Sequence, residues 1–182
     1  MGSTLRGKNI AFLVANEGVE RVELTEPWNA VEDEGGAPRL VAPHAGVVQT
    51  FDHLNKSVAF EVDAAVADVD AEEFDGLVLP GGVANPDRLR TSQPAVEMVR
   101  RLFELGRPVA VICHGSWTLV EADQVRGRRL TSWPSLKTDI RNAGGEWVDE
   151  EVVVDTNGPN VLISSRRPDD LKAFCGEIVE RF

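Results

Sequence analysis

Cys113 and His114 stand side by side in "PVAVICHGSWTL" (108–119), in a chain of 182 residues with only two cysteines and three histidines. A thiol beside an imidazole can supply a nucleophile and the base that activates it. The pair ends a continuous apolar run and is followed at once by Gly115. That places it where a buried strand turns sharply into a helix. The layout is that of a nucleophile elbow, usually written G-x-S-x-G, with Cys in place of Ser and only the second glycine retained. Such a turn lifts the sulfur out of the core and sets it beside the first helical N–H groups, which favour a thiolate and predict a lowered thiol pKa. Taken alone, Cys113 fits a buried small hydrophobe equally well; the adjacent His114 and Gly115 tip the reading toward chemistry. Cys175 lacks such neighbours and reads as core.

A thiolate needs partners. "ANEGVERVEL" (15–24) follows the first apolar run, and Glu20 and Glu23 in it are spaced to share a helix face. Val19, Val22 and Leu24 turn the segment partly inward. A carboxyl buried beside a thiol would have a raised pKa and could donate a hydrogen bond to the sulfur. "LVLPGG" ends a second buried run at Gly81–Gly82, whose backbone N–H groups could form an oxyanion hole with the amide of His114. No CxxC or HxxxH spacing is present, so neither a metal nor a cofactor is expected.

These residues need a scaffold. Short apolar runs alternate with amphipathic stretches. Strands are expected at 9–15, 38–43, 75–82, 108–113 and 128–133, and a looser hairpin or edge strand at 56–69. Helices are expected over 19–36, 92–106, 115–125, 134–145 and 168–182, with a two-stranded unit over 146–165 around "TNGPN". The runs show little alternation, which favours a parallel sheet covered on both faces, in a doubly wound α/β sandwich. No linker or repeat breaks residues 1–182, which read as one domain. In such a sheet, ligands bind beyond the carboxyl ends of the strands. Cys113, Gly81, Gly82 and Gly115 all fall at that edge, the three glycines as the expected oxyanion and substrate-binding residues.

The formal net charge of −11 argues against nucleic acid and against an anionic membrane surface. No apolar run approaches the roughly 20 residues of a membrane span. The first residues lack a small-residue cleavage site, and two distant cysteines make no disulfide framework, so a cytoplasmic location is expected.

"EGVERVEL", "FDGLVLPGG", "VAVICHG", "RGRRLTSWPSLKTDIRNAGGEWVDEEVVVD" and "LISSRRPDDLKAFC" together resemble the PfpI-like intracellular proteases of the ThiJ/PfpI superfamily, related to class I glutamine amidotransferases. The likeness spans nearly the whole chain. It implies a flavodoxin-like sheet, Cys113 as nucleophile, His114 as its base, and a carboxylate near the sulfur at Glu23, with Glu20 close by. In protease-type members an acid shortly after the Gly-Gly turn reaches across a subunit interface to orient the histidine. The matching residue is Asp87, with Asp in place of the usual Glu and one extra residue before it. A surface ion pair to Arg88 or Arg90 is the competing reading of Asp87. A homodimer or larger homo-oligomer is implied.

Two functional readings stay open. One is a cysteine hydrolase acting on a peptide or a small carbonyl compound, of protease, glyoxalase or deglycase type. The other is a stress protein, chaperone or redox sensor in which Cys113 is oxidised rather than turned over.

Overall fold

The computed structural model describes residues 4–182. Its strands and helices follow in the order β1 (Asn9–Leu13), β2 (Glu17–Glu20), α1 (Arg21–Asp33), β3 (Ala37–Ala42), β4 (Val47–Asp52), β5 (Asn55–Glu61), β6 (Ala64–Ala65) and β7 (Gly76–Leu79). Next come α2 (Ala84–Leu89), α3 (Gln93–Glu104), β8 (Val109–Ile112), α4 (Ser116–Glu121), β9 (Arg129–Leu130) and α5 (Lys137–Asn142). The chain closes with β10 (Glu146–Trp147), β11 (Val152–Asp155), β12 (Leu162–Ser165) and α6 (Leu171–Arg181).

The apolar runs become one seven-stranded sheet in the order β11-β12-β8-β7-β1-β3-β6. Every neighbouring pair is parallel except β11 with β12. All four residues of β7 and all four of β8 are buried, as expected of strands covered on both faces. One core layer packs Leu77, Val99, Leu102 and Leu119 beneath α3 and α4. The other packs Ile10, Phe12, Phe174 and Ile178 beneath α1 and α6. The strand order reverses between β1 and β7: β1 leads through α1 to β3 on one side, and the later strands build outward on the other. Ligand crevices form at such reversals. This is the expected doubly wound, mostly parallel α/β sandwich in a single domain.

Several local expectations are corrected. Residues 19–36 do not begin as a helix. Glu17–Glu20 form β2, which pairs with β4 in a separate three-stranded sheet β2-β4-β5, and α1 starts only at Arg21. Of the hairpin or edge strand expected over 56–69, the edge strand is found: β5 lies at the edge of the three-stranded sheet and β6 at the edge of the seven-stranded one, while the hairpin itself is made by β5 with the earlier β4. The strand at 128–133 shrinks to Arg129–Leu130, which pairs with β10. The helix expected over 115–125 spans 116–121, after a 3-10 turn at Cys113–Gly115. Helix α2 is an addition to the expected elements.

Arg128 anchors the far end of the sheet and is 4% exposed. Its guanidinium donates to Asp155 Oδ1 at 3.2 Å, Asn160 Oδ1 at 2.9 Å, and the carbonyls of Asp155 and Asn160 at 3.1 and 2.9 Å. It thereby ties β9 to the turn between β11 and β12.

Candidate active site

Strand β8 ends at Ile112, and Cys113 turns the chain with φ 63, a left-handed conformation that ordinary side chains rarely adopt. A non-glycine residue there carries a local cost of about 1–2 kcal/mol. The carbonyl of Cys113 accepts the backbone N–H of Trp133 at 3.1 Å, which holds the turn against the segment after β9. The elbow also sits hard against the end of β7. A Cβ built on Gly115 would lie 2.6 Å from the Leu79 carbonyl oxygen and 3.0 Å from that of Pro80. Gly115 is therefore a packing residue, buried under the elbow rather than facing substrate, which corrects its expected place in the binding site.

Glu23, in the first turn of α1, is fully buried. Its Oε2 accepts the N–H of Gly81 at 2.8 Å. Oε1 makes no well-formed hydrogen bond, and the Cys113 thiol is the polar side chain influencing it. Burial pushes the Glu23 carboxyl up to about 8, and the charge of Glu20 adds to the rise, against the opposing pull of the thiol and the Gly81 and Gly82 amides. The Gly81 N–H is thus already occupied, which removes it from the expected oxyanion hole. Gly81 matters through its size instead, since a Cβ there would lie 2.6 Å from Cys113 Cβ. Only a glycine lets the two strand ends come this close.

Burial also pushes the Cys113 thiol up, and the neighbouring Glu23 adds to the rise when ionised; the N–H groups of Gly82 and His114 act against both. The expected lowering of the thiol pKa is therefore not met. The helix after the elbow is short, and Cys113 is 5% exposed rather than lifted into solvent. At neutral pH both Glu23 and Cys113 keep their protons, because removing either would leave a charge in a dry site.

His114 supplies what a neutral thiol lacks. Its Nδ1 lies 3.2 Å from Cys113 Sγ, and its Nε2 3.4 Å from Ser135 Oγ. With the proton on Nε2, that nitrogen donates to Ser135 and Nδ1 is free to accept from the thiol. The ring lies between Trp133 (centroids 5.6 Å apart, 24° between planes) and Trp117 (5.3 Å, 60°). Burial lowers the imidazole to about 4, so it is an uncharged base at neutral pH. Sequence reasoning misses Trp117, Trp133 and Ser135; "TSWPS" reads only as the end of one strand and the start of a helix, and its contact with the elbow is a tertiary one.

Cys113, His114, Glu23, Glu20 and Gly82 meet in one cleft of about 400 Å³. Phe51, Leu54, Val83 and Trp133 wall it. The β4–β5 hairpin, unassigned to the site from sequence, contributes His53 and Leu54 to its lining, with Leu54 94% exposed. Glu20 stands at the rim, where its carboxylate accepts the N–H of His53 at 3.1 Å. Of the two candidate carboxylates, Glu23 is the one that meets the thiol.

Asp87 lies elsewhere. It is exposed on α2, beside a different hollow, and the hydrogen bonds of the His114 ring go to Cys113 and Ser135, not to the Asp87 of its own chain. Nor does it pair with its neighbours: Arg88 binds Glu17 at 2.7 Å and Arg90 binds Glu121 at 3.2 Å. Cys175 is half-buried on α6, outside the cleft, and burial pushes its thiol up to about 12. Among the described residues, no group of three His, Cys, Asp or Glu is placed to hold a metal ion.

A family model described as the DJ-1/PfpI family matches residues 8–181. A deglycase of Pyrococcus horikoshii is 44% identical over 94% of this chain and 97% of its own length. Protein/nucleic acid deglycase 2 of Escherichia coli is 38% identical over 93% of this chain and 95% of its own. Among solved structures, a two-domain protein of Anabaena variabilis with DJ-1/ThiJ/PfpI-like and ferritin-like domains superimposes with a TM-score of 0.87 and 32% identity. That match covers 95% of this chain but 47% of the two-domain protein, about half its length.

Proposed function

The chain belongs to the DJ-1/PfpI family, and from that premise we propose that it is a PfpI-type cysteine enzyme that attacks reactive carbonyl carbons, in the manner of a deglycase or peptidase. The observation that carries the reading is the uncharged pair, Cys113 Sγ and His114 Nδ1 at 3.2 Å, both buried and both lining the cleft.

The sulfur attacks as its proton passes to His114 Nδ1, so nucleophile and base are activated together rather than held as a preformed ion pair. The carbonyl carbon gains a bond to sulfur and its oxygen takes the negative charge. The N–H groups of Gly82 and His114, which now face the sulfur, are placed to stabilise that oxygen. Glu23, still protonated, offers a hydrogen bond to the sulfur whenever it is anionic. His114 then returns its proton to the departing amine as the carbon–nitrogen bond breaks, and a water deprotonated by His114 attacks the remaining thioester carbon, so that the carbon–sulfur bond breaks and the sulfur regains the proton.

Deglycase chemistry is favoured over peptide hydrolysis by the shape of the cleft. Its volume is about 400 Å³ and the hairpin tip forms part of its wall, which suits a compact carbonyl adduct better than an extended peptide. The raised thiol weighs against a redox sensor, because oxidants react with thiolates and this sulfur is buried and protonated.

We also read the working form as a homo-oligomer in which Asp87 of one subunit serves the His114 of another. Its exposure on α2, without an ion-pair partner of its own, supports this. Two free cysteines, and the absence among the described residues of any helix long and apolar enough to cross a membrane, support a cytoplasmic setting.

The test is a paired screen of α-oxoaldehyde adducts and fluorogenic peptides, with the Cys113→Ser protein as blank. Adduct turnover that disappears in Cys113→Ser is the expected result. Equal rates in both proteins would overturn the reading.

A further inference from the structure

Charge around the cleft is unevenly compensated. Glu17 is held by Arg88 at 2.7 Å and Lys56 at 3.7 Å. Arg21, next in sequence to Glu20, is taken by Asp52 at 2.8 Å. Glu20 has only the backbone N–H of His53, and among the described residues no Lys or Arg forms an ion pair with it. Yet Glu20 lines the same cleft as Cys113, close enough for its charge to act on Glu23. A second feature points into the same space: Glu23 Oε1 is wholly buried, borders the cleft and lacks a well-formed hydrogen bond.

A carboxylate at the mouth of a pocket with low-dielectric walls focuses its field inward, drawing cations and turning anions away. Trp133 and Phe51 also line the cleft, and aromatic rings of this kind attract ammonium and guanidinium groups and pack their apolar stems. Surface carboxylates without an ion-pair partner are ordinarily answered by water alone. This one is answered by a cavity of the right size to hold a ligand.

We propose that Glu20 is the specificity-determining residue of this cleft: it binds the ammonium or guanidinium group of a substrate whose carbonyl-derived carbon meets Cys113, so that cationic adducts are taken and anionic ones refused. This rests on the reading of Cys113 as the nucleophile. It deepens that reading by naming which carbonyl adducts the site accepts.

Charged methanethiosulfonates test it without requiring turnover. A 2-ammonioethyl and a 2-sulfonatoethyl reagent each form a mixed disulfide with a thiol and release methanesulfinate. Their rates at Cys113 are measured by mass spectrometry in the Cys175→Ala protein and divided by their rates with a small free thiol. The corrected preference for the cationic reagent should be at least about tenfold, a difference of about 1.4 kcal/mol. It should fall several-fold in Glu20→Gln, reverse in Glu20→Lys, and shrink in wild type at high salt. Glu180→Gln, which removes the same unit of charge at an exposed site on α6, should leave it unchanged. A corrected preference near one, or one that survives in both Glu20 variants, overturns the proposal. Because the readout is labelling, a failure here is separate from a failure of Cys113→Ser to abolish turnover.

Discussion

Burial holds Glu23 protonated up to about pH 8 and keeps His114 unprotonated down to about pH 4. These limits bracket the range in which the neutral pair works. kcat/KM should rise as pH increases through about 4, where His114 becomes able to accept a proton. It should fall above about 8, where an ionised Glu23 repels the developing thiolate. Glu23→Gln, which cannot ionise, should remove the alkaline fall while keeping most of the rate below it; Glu23→Leu should lower the rate throughout. The same residue leaves a mark on stability. Its folded-state value lies above the unfolded one, so its contribution is full below about pH 4.5 and is lost as pH rises toward about 8. Urea denaturation at pH 5 and pH 9 should show wild type losing more stability than Glu23→Gln across that interval. An equal loss in both would remove Glu23 as the cause.

The elements around the elbow tolerate little change. At Gly115 the atoms a methyl would meet belong to the backbone of Leu79 and Pro80, which cannot swing aside. Gly115→Ala should cost about 1–3 kcal/mol, the range for overpacking a tight interior. That is a fall of several degrees in Tm, with slower alkylation of Cys113. Arg128→Ala should cost about 3–5 kcal/mol, since it strands the buried Asp155 carboxylate. Calorimetry checks both. Much of this scaffold is legible in the sequence, for a physical reason: "NIAFL", "GLVL" and "VAVI" are apolar throughout, and only a sheet covered on both faces uses such runs. Val19 and Glu20 mislead because Glu20 and Glu23, three apart, suit one helix face, whereas Glu17–Glu20 is held as a strand by pairing with a distant hairpin. That hairpin is hard to place because "VVQTFD" mixes polar and apolar residues in no clear alternation. Burial at the elbow is equally invisible. Sequence shows where the sulfur turns, but not that Glu23, Trp133 and the Gly81 backbone close over it, and so it misjudges the direction of the thiol pKa.

At the scale of the molecule, one chain already brings together thiol, imidazole and buried carboxyl, while Asp87 faces outward. If subunits complete one another, light scattering should give a dimer or larger. Mixing inactive Cys113→Ser subunits with weakened Asp87→Ala subunits should then restore part of the activity. Asp87→Ala alone should lower turnover while Cys113 still reacts with iodoacetamide. A monomer, or no recovery despite proven exchange, would leave Ser135 and the two tryptophans as the groups that orient His114. The left-handed backbone at Cys113 has a consequence for how such a chain is inherited. Glycine at this position would relieve about 1 kcal/mol of backbone cost, so folding and turnover ask for different residues at the same codon. A copy of the gene released from its activity is free to take glycine there and shed that backbone cost. A cysteine kept at this turn across generations is therefore a record of continuous selection for chemistry, written against the grain of the fold.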